Sequence, residues 1–309
     1  MTADVSIIIP TFRRPDGLAK AVRSVVAQAN PCGLVLEILI VDNDPDGSGR
    51  AMADTLITES RLETRYIHIP DAGVANARNG GVAATNAPLI AFLDDDEEAH
   101  TTWLCELVGA QRFHGADAVF GPVRARVPDA VALHRDYYAE FFSRFGPEET
   151  GPTPDYFGCG NSLVRREALP PGDTPFAVER NDIGGEDDLL FARMKAGGAR
   201  FVWCEEAWVW EDPSPARANL KYTLRRAFAY GQGPSAACAS ASPVNPLGVL
   251  FWMGVGFGQF VVYGMAALAL WAIRAPRRAR MLDKAVRGLG KVFWGGPFSQ
   301  AFYGLNSTS

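Results

Sequence analysis

The 309-residue sequence predicts an α/β fold, a mostly parallel sheet flanked by helices, with a C-terminal apolar helical segment. Two observations lead to this prediction. Short β-branched runs alternate with helical patterns through the first 95 residues, joined by short connections. Near the C-terminus, residues 227–273 contain no Asp, Glu, Lys, Arg or His.

The first 95 residues predict four strands with three helices between them. The strands are expected at residues 5–10, 36–41, 65–69 and 89–93, and the helices at 15–28, 48–57 and 73–84. In such sheets ligands bind at the carboxyl ends of the strands. Polar clusters fall at those ends, at residues 11–14, 42–46 and 94–96.

The middle of the chain is less regular. Helices are predicted at residues 103–113, 186–196 and 215–230, strands at 118–127 and 160–165, and a strand pair at 201–210. Residues 134–154 predict an aromatic, loop-rich segment.

Charge is divided unevenly along the chain. The net charge is −5, but residues 1–212 carry 19 basic against 34 acidic side chains, whereas residues 213–309 carry 11 basic side chains and one acid. The acidic pI argues against nucleic acid as a partner. The N-terminus has neither a basic nor an apolar region of the signal-peptide type, so a cytosolic location is expected.

The acidic run Asp94-Asp95-Asp96-Glu97 follows a predicted strand directly. Adjacent carboxylates repel one another unless a cation neutralises them, and oxygen ligands suit Mg²⁺ or Mn²⁺. A solvated acidic turn is the alternative for such a run, but its position after a buried strand favours a metal site.

Two further acidic clusters have a structural and a functional interpretation. Asp187 lies in a Glu-Asp-Asp run after Gly184-Gly185. In the structural interpretation these acids stabilise the start of a helix, and in the functional one a carboxylate of the run acts as a general base. Glu211 ends a predicted strand and is either a surface residue or a further metal ligand.

The basic and apolar C-terminal part predicts attachment to a membrane. Arg217, Lys221 and Arg225 are spaced four residues apart, as on one helix face, which could contact a diphosphate, a lipid headgroup or only solvent. Residues 247–273 are long enough to cross a bilayer, and an amphipathic basic segment follows at 281–293. Because basic residues flank the apolar segment on both sides, a re-entrant or in-plane hairpin, bending at its glycines, is favoured over a single span.

Six segments of residues 4–231 form a characteristic set when taken in order: VSIIIPTFRR, ILIVDN, GVANARNGG, FLDDDEE, GNSLVRREAL and GGEDDLLFARMKAGG. Together they resemble the motifs of glycosyltransferase family 2, and are most similar to its bacterial exopolysaccharide branch, which includes succinoglycan-type transferases. The resemblance implies a Rossmann-like GT-A fold, a nucleotide-sugar donor, a divalent cation and inversion at the anomeric carbon.

The resemblance also assigns roles to single residues. Donor contacts are implied for Pro10, Thr11, Arg13, Arg14, Asp42, Arg78, Asn79, Asp94 and Asp95, with Asp42 at the base and Asp94 near the ribose. Asp96 and Asp94 are implied as ligands of Mn²⁺ or Mg²⁺, and Asp187 as the catalytic base. Many members have a His where Glu211 stands, and a Glu can also ligate Mn²⁺.

The expected protein is an inverting glycosyltransferase that moves a sugar from a nucleotide-sugar, with UDP-sugar favoured, to a lipid-linked saccharide in exopolysaccharide or surface polysaccharide synthesis. It is expected at the cytoplasmic face of the inner membrane. The catalytic domain is expected at residues 1–231, with a donor half at 1–98 and an acceptor half at 99–231, and the membrane-associated tail at 232–309. The alternatives are a sugar-nucleotidyltransferase and a non-catalytic membrane scaffold on a degenerate GT-A domain.

Overall fold

The structure is a computed structural model, and it describes residues 3–28, 33–172, 174–181 and 184–298. The chain divides into two compact units. The first, here called the α/β unit, contains the chain up to Arg126 together with Ser143–Asp212. The second, the helical unit, contains Val127–Phe142 and the described chain from Pro213 to Phe298. The domain boundary expected at residues 231–232 lies inside a helix of the helical unit.

The first half of the α/β unit confirms the predicted alternation of strands and helices. Its elements are β1 (Val5–Thr11), α1 (Pro15–Val26), β2 (Leu36–Asp42), α2 (Arg50–Glu59), β3 (Glu63–His68), α3 (Val74–Ala83) and β4 (Leu89–Phe92). The strands pair in parallel in the order β3-β2-β1-β4. Both β1 and β2 are buried along their whole length, which explains their continuous β-branched sequences.

The second half of the α/β unit departs from a purely parallel pattern. Its elements are β5 (Glu97–Ala99), α4 (Trp103–His114), β6 (Ala118–Phe120), β7 (Val123–Ala125), β8 (Gly151–Thr153), β9 (Ser162–Arg165), α6 (Glu186–Ala196), β10 (Phe201–Trp203) and β11 (Val209–Glu211). Among the described residues, the main sheet has eight strands in the order β3-β2-β1-β4-β9-β6-β10-β8, with β9 antiparallel to both neighbours. A second sheet has the order β5-β11-β7.

Two sequence predictions are corrected here. The strand expected at residues 118–127 is two strands, because Gly121 and Pro122 interrupt it and β6 and β7 belong to different sheets. The expected strand pair at 201–210 likewise divides, with β10 in the main sheet and β11 in the second. Neighbouring strands along the chain therefore connect the two sheets rather than extending one.

Asn161 holds this connection together inside the protein. Its side chain is fully buried, and Oδ1 accepts a hydrogen bond from Trp103 Nε1 at 2.7 Å. Its Nδ2 donates to the carbonyl oxygens of Pro122 at 2.9 Å and Ala207 at 2.8 Å. One amide thus joins α4 to the β6–β7 and β10–β11 connections.

The α-helices of the helical unit, in the part of the chain that the structure describes, are α5 (Arg135–Phe142), α7 (Leu220–Ser240), α8 (Pro246–Ala272) and α9 (Arg278–Val292). Helix α5 lies inside the segment expected to be loop-rich. Helix α7 begins at Leu220 because the Asn219 side chain accepts a hydrogen bond from the Tyr222 amide at 3.0 Å, a standard N-cap. Arg217 therefore precedes the helix, and the expected three-residue basic face has only two members on α7.

Helix α8 is continuous over 27 residues, so the bend expected at its glycines is wrong. Within the described part of the chain, it is the one helix that is long and apolar enough to cross a membrane.

The Asn161 side chain is expected to contribute strongly to stability. Asn161→Leu keeps the volume similar but leaves the Trp103 indole N–H and two buried carbonyls without a partner, so the free energy of unfolding should fall by about 3 kcal/mol. Urea unfolding followed by tryptophan fluorescence measures this. Asn76→Leu is the control, because the Asn76 side chain donates to the more accessible carbonyls of Asp71 and Ala72 just before α3, and it should cost less than about 1 kcal/mol. Equal loss in both variants would contradict the assignment.

Candidate active site

Asp95 ties the carboxyl end of β4 to that of β1. Its buried Oδ2 accepts hydrogen bonds from the Thr11 hydroxyl at 2.8 Å and from the Phe12 amide at 3.4 Å. Arg14, at the N-cap of α1, donates from Nη1 to Asp95 Oδ1 at 3.2 Å and to Asp96 Oδ2 at 2.8 Å. The middle acid of the triplet is therefore an internal anchor shared by two strand ends.

The surroundings of this anchor also shift its pKa. Burial raises the pKa of Asp95 to about 7; the Arg14 guanidinium opposes the rise, and the negative charge of Asp96 adds to it. The outer members of the triplet are more accessible, since 33% of the Asp94 side chain and 18% of the Asp96 side chain are exposed.

Arg78 on α3 joins the acidic triplet to the start of α6. Arg78 is only 4% exposed. Its Nη2 donates to Asp94 Oδ1 at 2.9 Å, and its Nη1 donates to Glu186 Oε1 at 2.5 Å. The guanidinium also lies over the ring of Phe176, 5.7 Å from its centroid. A single buried cation thus bridges two acidic motifs that are far apart in sequence.

Glu97 and Arg144 belong to this cluster, although the sequence analysis assigned neither a role. Glu97 is 3% exposed, accepts the Asp94 amide at 3.1 Å, and has Arg144 Nη2 3.8 Å from its Oε1. Burial raises the pKa of Glu97 well above its usual range; the negative charge of Asp94 adds to the rise, and Arg144 opposes it. Glu97 could have been found as the fourth acid of the run, whereas nothing in the sequence around Arg144 points to it.

Gly160 gives these carboxylates room. A Cβ at this position would lie 2.5 Å from Asp94 Oδ2 and 2.9 Å from Glu97 Oε1. The backbone at Gly160 therefore approaches the two carboxylates closely, and any side chain at this position would displace them.

Asp187 lies in the first turn of α6, half-buried, directly after Glu186. Its Oδ2 accepts the Cys159 amide at 3.1 Å and its Oδ1 accepts the Asp188 amide at 2.9 Å. Burial raises the pKa of Glu186, and the Arg78 charge opposes that rise. Two backbone donors thus fix the direction of the Asp187 carboxylate, while its neighbour Glu186 is occupied by Arg78.

Backbone pairing brings Glu211 beside the triplet. Strand β11 runs antiparallel to β5 with Glu211 opposite Glu97, and the Asp212 amide donates to the Asp96 carbonyl at 3.1 Å. In the described ranges, no three His, Cys, Asp or Glu side chains form a group that could hold a metal ion by themselves. The residues nevertheless fit a cation that is bound together with a substrate, because Mg²⁺ commonly takes only one or two protein carboxylates and completes its shell with phosphates and water.

Asp42 organises the loop after β2. It is fully buried; Oδ1 accepts the Asp44 amide at 2.9 Å, and Oδ2 accepts the Gly49 amide at 2.7 Å and the Tyr66 hydroxyl at 2.9 Å. Three of about four acceptor positions of this carboxylate are therefore occupied within the chain. Its contact with a nucleotide base stays a prediction.

The other expected donor contacts have different surroundings. Arg13 Nε donates to Asp44 Oδ1 at 3.1 Å, which places the Arg13 side chain over the β2 loop. Asn79 donates to the Phe176 carbonyl at 2.8 Å and accepts the Phe176 amide at 2.9 Å, so its amide group clamps that loop. Pro10 lies in β1 opposite Val41.

The three expected basic contacts all lie in the helical unit. The Arg217 guanidinium is 5.5 Å from the Phe142 ring centroid and 5.6 Å from that of Tyr222. A groove of about 290 Å³ on α7 is lined by Lys221, Leu224, Arg225 and Phe228. Two basic and two apolar side chains thus alternate on one helix face.

Comparison with known proteins identifies the family. The model of glycosyl transferase family 2 matches residues 6–170. The succinoglycan biosynthesis protein ExoM of Rhizobium meliloti is 34% identical over 232 residues, which cover 75% of this chain and 74% of that protein. The pre-mycofactocin glycosyltransferase of Mycobacterium tuberculosis is 25% identical over 90% of this chain, and the match spans 58% of that protein's length.

A solved structure supports the same fold. Residues 1–349 of TarS from Staphylococcus aureus match with a TM-score of 0.54 and 14% identity, covering 94% of this chain and 90% of that one. The predicted GT-A-like α/β fold is thereby confirmed. On the family match and the similarity to ExoM, this chain belongs to glycosyl transferase family 2.

Proposed function

We propose that this glycosyltransferase moves a sugar, with inversion, from a nucleotide-sugar to a lipid-linked saccharide in bacterial exopolysaccharide or surface polysaccharide synthesis. The observation that carries the proposal is the Arg78 bridge between Asp94 and Glu186, because it brings the first turn of α6, which contains Asp187, close to the acidic triplet. The name of the relative ExoM supports the polysaccharide assignment. A UDP-sugar is the favoured donor.

Asp187 is the proposed general base. An inverting transfer by direct displacement needs one base on the acceptor side, which takes the proton of the attacking hydroxyl. The amides of Cys159 and Asp188 hold its carboxylate in a fixed direction, and its half-buried position leaves it accessible to an acceptor. Glu186 is buried against Arg78 and is therefore not free for this task.

Asp94 and Asp96 are the proposed protein ligands of Mn²⁺ or Mg²⁺, with Glu211 as a further candidate. When bound, the cation would offset the negative charge that develops on the leaving diphosphate. Arg14 holds Asp96 and Arg78 holds Asp94, so both carboxylates are positioned before any ligand binds. Thr11 and Asp95 keep the two strand ends that carry these groups in register.

The two alternatives have less support. A sugar-nucleotidyltransferase normally carries a Gly-rich basic loop after its first strand, and residues 11–17 do not supply one. A non-catalytic scaffold would tolerate loss of the proposed metal ligand and base, but Asp96 and Asp187 are both present.

The proposed location is the cytoplasmic face of the inner membrane. The apolar helix α8 and the basic excess of the chain from residue 213 onward support attachment to a membrane that presents anionic lipids. Attachment would keep the enzyme on the surface where a lipid-linked acceptor is found.

Asp187→Asn should reduce turnover by a factor of about 10²–10⁴, the usual contribution of a general base, and leave nucleotide affinity within about twofold. Sugar transfer is measured with a radiolabelled UDP-sugar in detergent-solubilised membranes, and affinity by calorimetry. The control is Asp188→Asn in the same helical turn, which should keep turnover within about threefold. Turnover close to that of the unmodified chain in Asp187→Asn would remove it from the role.

Asp96→Ala should abolish the increase in nucleoside diphosphate affinity that Mn²⁺ produces. Calorimetry with UDP, once with Mn²⁺ and once with a chelator, gives that increase directly. Asp129→Ala is the control, since Asp129 is an exposed acid of the helical unit. If the unmodified chain binds UDP equally well with chelator, the proposed metal-bridged diphosphate is wrong.

A further inference from the structure

Helix α8 has two apolar faces, and only one of them is covered. Six of its outward side chains fall within one arc of the helix and are between 58% and 77% exposed: Leu247, Phe251, Phe257, Val262, Met265 and Leu268. The opposite face, which includes the buried Gly256 and Ala267, packs inside the helical unit. An apolar stripe of this length requires a partner that excludes water.

Helix α9 covers the inner face of α8 by running back along it. The Arg278 guanidinium lies 5.5 Å from the Trp271 ring centroid, and Lys284 Nζ lies 5.3 Å from that of Tyr263. Further along, Gly256 and Gly288 touch through their backbones, since a Cβ on either would lie 2.5 Å from the carbonyl oxygen of the other. The residue numbers fall on α8 as they rise on α9, so the two helices form an antiparallel hairpin.

The side of α9 away from α8 is strongly polar and is covered by protein. Asp283 is 6% exposed; its Oδ1 accepts the Tyr137 hydroxyl at 3.0 Å, and its Oδ2 accepts Arg287 Nε at 2.6 Å. Arg280 pairs with Glu140 of α5. Helix α9 therefore packs against α8 on one side and bonds to α5 through its polar side chains.

This arrangement is incompatible with α8 as a simple membrane span. The 27-residue helix is about 40 Å long, so its middle falls near Gln259. If α8 crossed the bilayer, Lys284, which lies over Tyr263, would be only about 6 Å from the midplane, and Asp283 and Arg287 would enter the hydrocarbon core with it. Ionisable groups at that depth are strongly unfavourable, and here α9 cannot be left behind because it packs against α8 through its backbone.

We propose that α8 lies in the plane of the membrane, with its outward face in one leaflet and both of its ends on the cytosolic side. The occupant of the apolar face is a lipid surface with anionic headgroups, because 11 basic side chains and a single acid follow residue 212. Arg274 and Arg277 are exposed at the end of α8, where such headgroups would lie. The proposal deepens the membrane attachment proposed above, and it does not depend on which sugar is transferred.

The position of the two ends of α8 decides between in-plane and spanning helices. Ser242→Cys precedes α8 and Arg277→Cys follows it, and both sites are exposed. Each full-length variant is treated with a membrane-impermeant maleimide in inverted and in right-side-out inner-membrane vesicles, and labelling above that of the parent chain is measured. Both cysteines should be labelled in inverted vesicles only. Labelling of Arg277→Cys in right-side-out vesicles would overturn the proposal.

A second measurement tests the lipid-facing side directly. Phe257→Glu and Met265→Glu place a charge on the outward face and should lower co-flotation with phosphatidylglycerol-containing vesicles at least tenfold. Phe113→Glu is the matched control, since Phe113 of α4 is 85% exposed in the α/β unit, and it should leave flotation unchanged. Equal flotation of all three variants, or recovery of the unmodified chain in the detergent-free soluble fraction, would overturn the proposal. Sugar transfer by the same variants in detergent reports separately on the proposed function.

Discussion

A buried guanidinium is the constraint on which the site depends. Arg78 is almost inaccessible to water, and it forms ion pairs with Asp94, 16 residues away in sequence, and with Glu186, 108 residues away. Removing one partner from a buried charge network is strongly destabilising, because the other charge is then left unpaired. The ion pairs of Arg78 therefore hold the first turn of α6 next to the loop after β4. The position of Asp187 follows, because it is the next residue along α6.

The other acids of the site are balanced in the same manner. Arg14 pairs with Asp95 and Asp96, and Arg144 lies against Glu97. The most buried carboxylates, Asp95 and Glu97, have raised pKa values because burial disfavours their charged form. Asp94 and Asp96, to which the proposed function assigns the cation and its diphosphate, are the more accessible members of the triplet.

The helical unit is held together by close helix packing rather than by buried ion pairs at a site. Glycines at the α8–α9 and α7–α9 contacts allow close backbone approach; a Cβ on Gly290, for example, would clash with the Phe228 carbonyl. This close packing places a charged helix next to an apolar one. The composition of α8 alone would suit a helix that spans the membrane. The position of α9 beside it is the reason for the in-plane orientation proposed here.

The sequence by itself determined the first half of the sheet, the family and the acidic motifs. Strands β1 and β2 are buried along their whole length and β4 along most of it, so their apolar runs were unambiguous, whereas β3 is partly exposed. The ends of β1, β2 and β4 carry their polar clusters within a few residues. The start of α6 was also predictable, because Gly184-Gly185 precedes an acidic first turn. These features are local, and their physical causes lie within one segment of chain.

Only the tertiary structure decided the features that join distant segments. The antiparallel insertion of β9, the division of the 118–127 strand between two sheets and the pairing of Glu211 with Glu97 all depend on strand partners that no local pattern specifies. The same holds for Arg144 beside Glu97 and for α9 along α8. Sequence patterns record which face of an element is buried; they do not record which neighbour buries it, and that choice is made when the whole core packs.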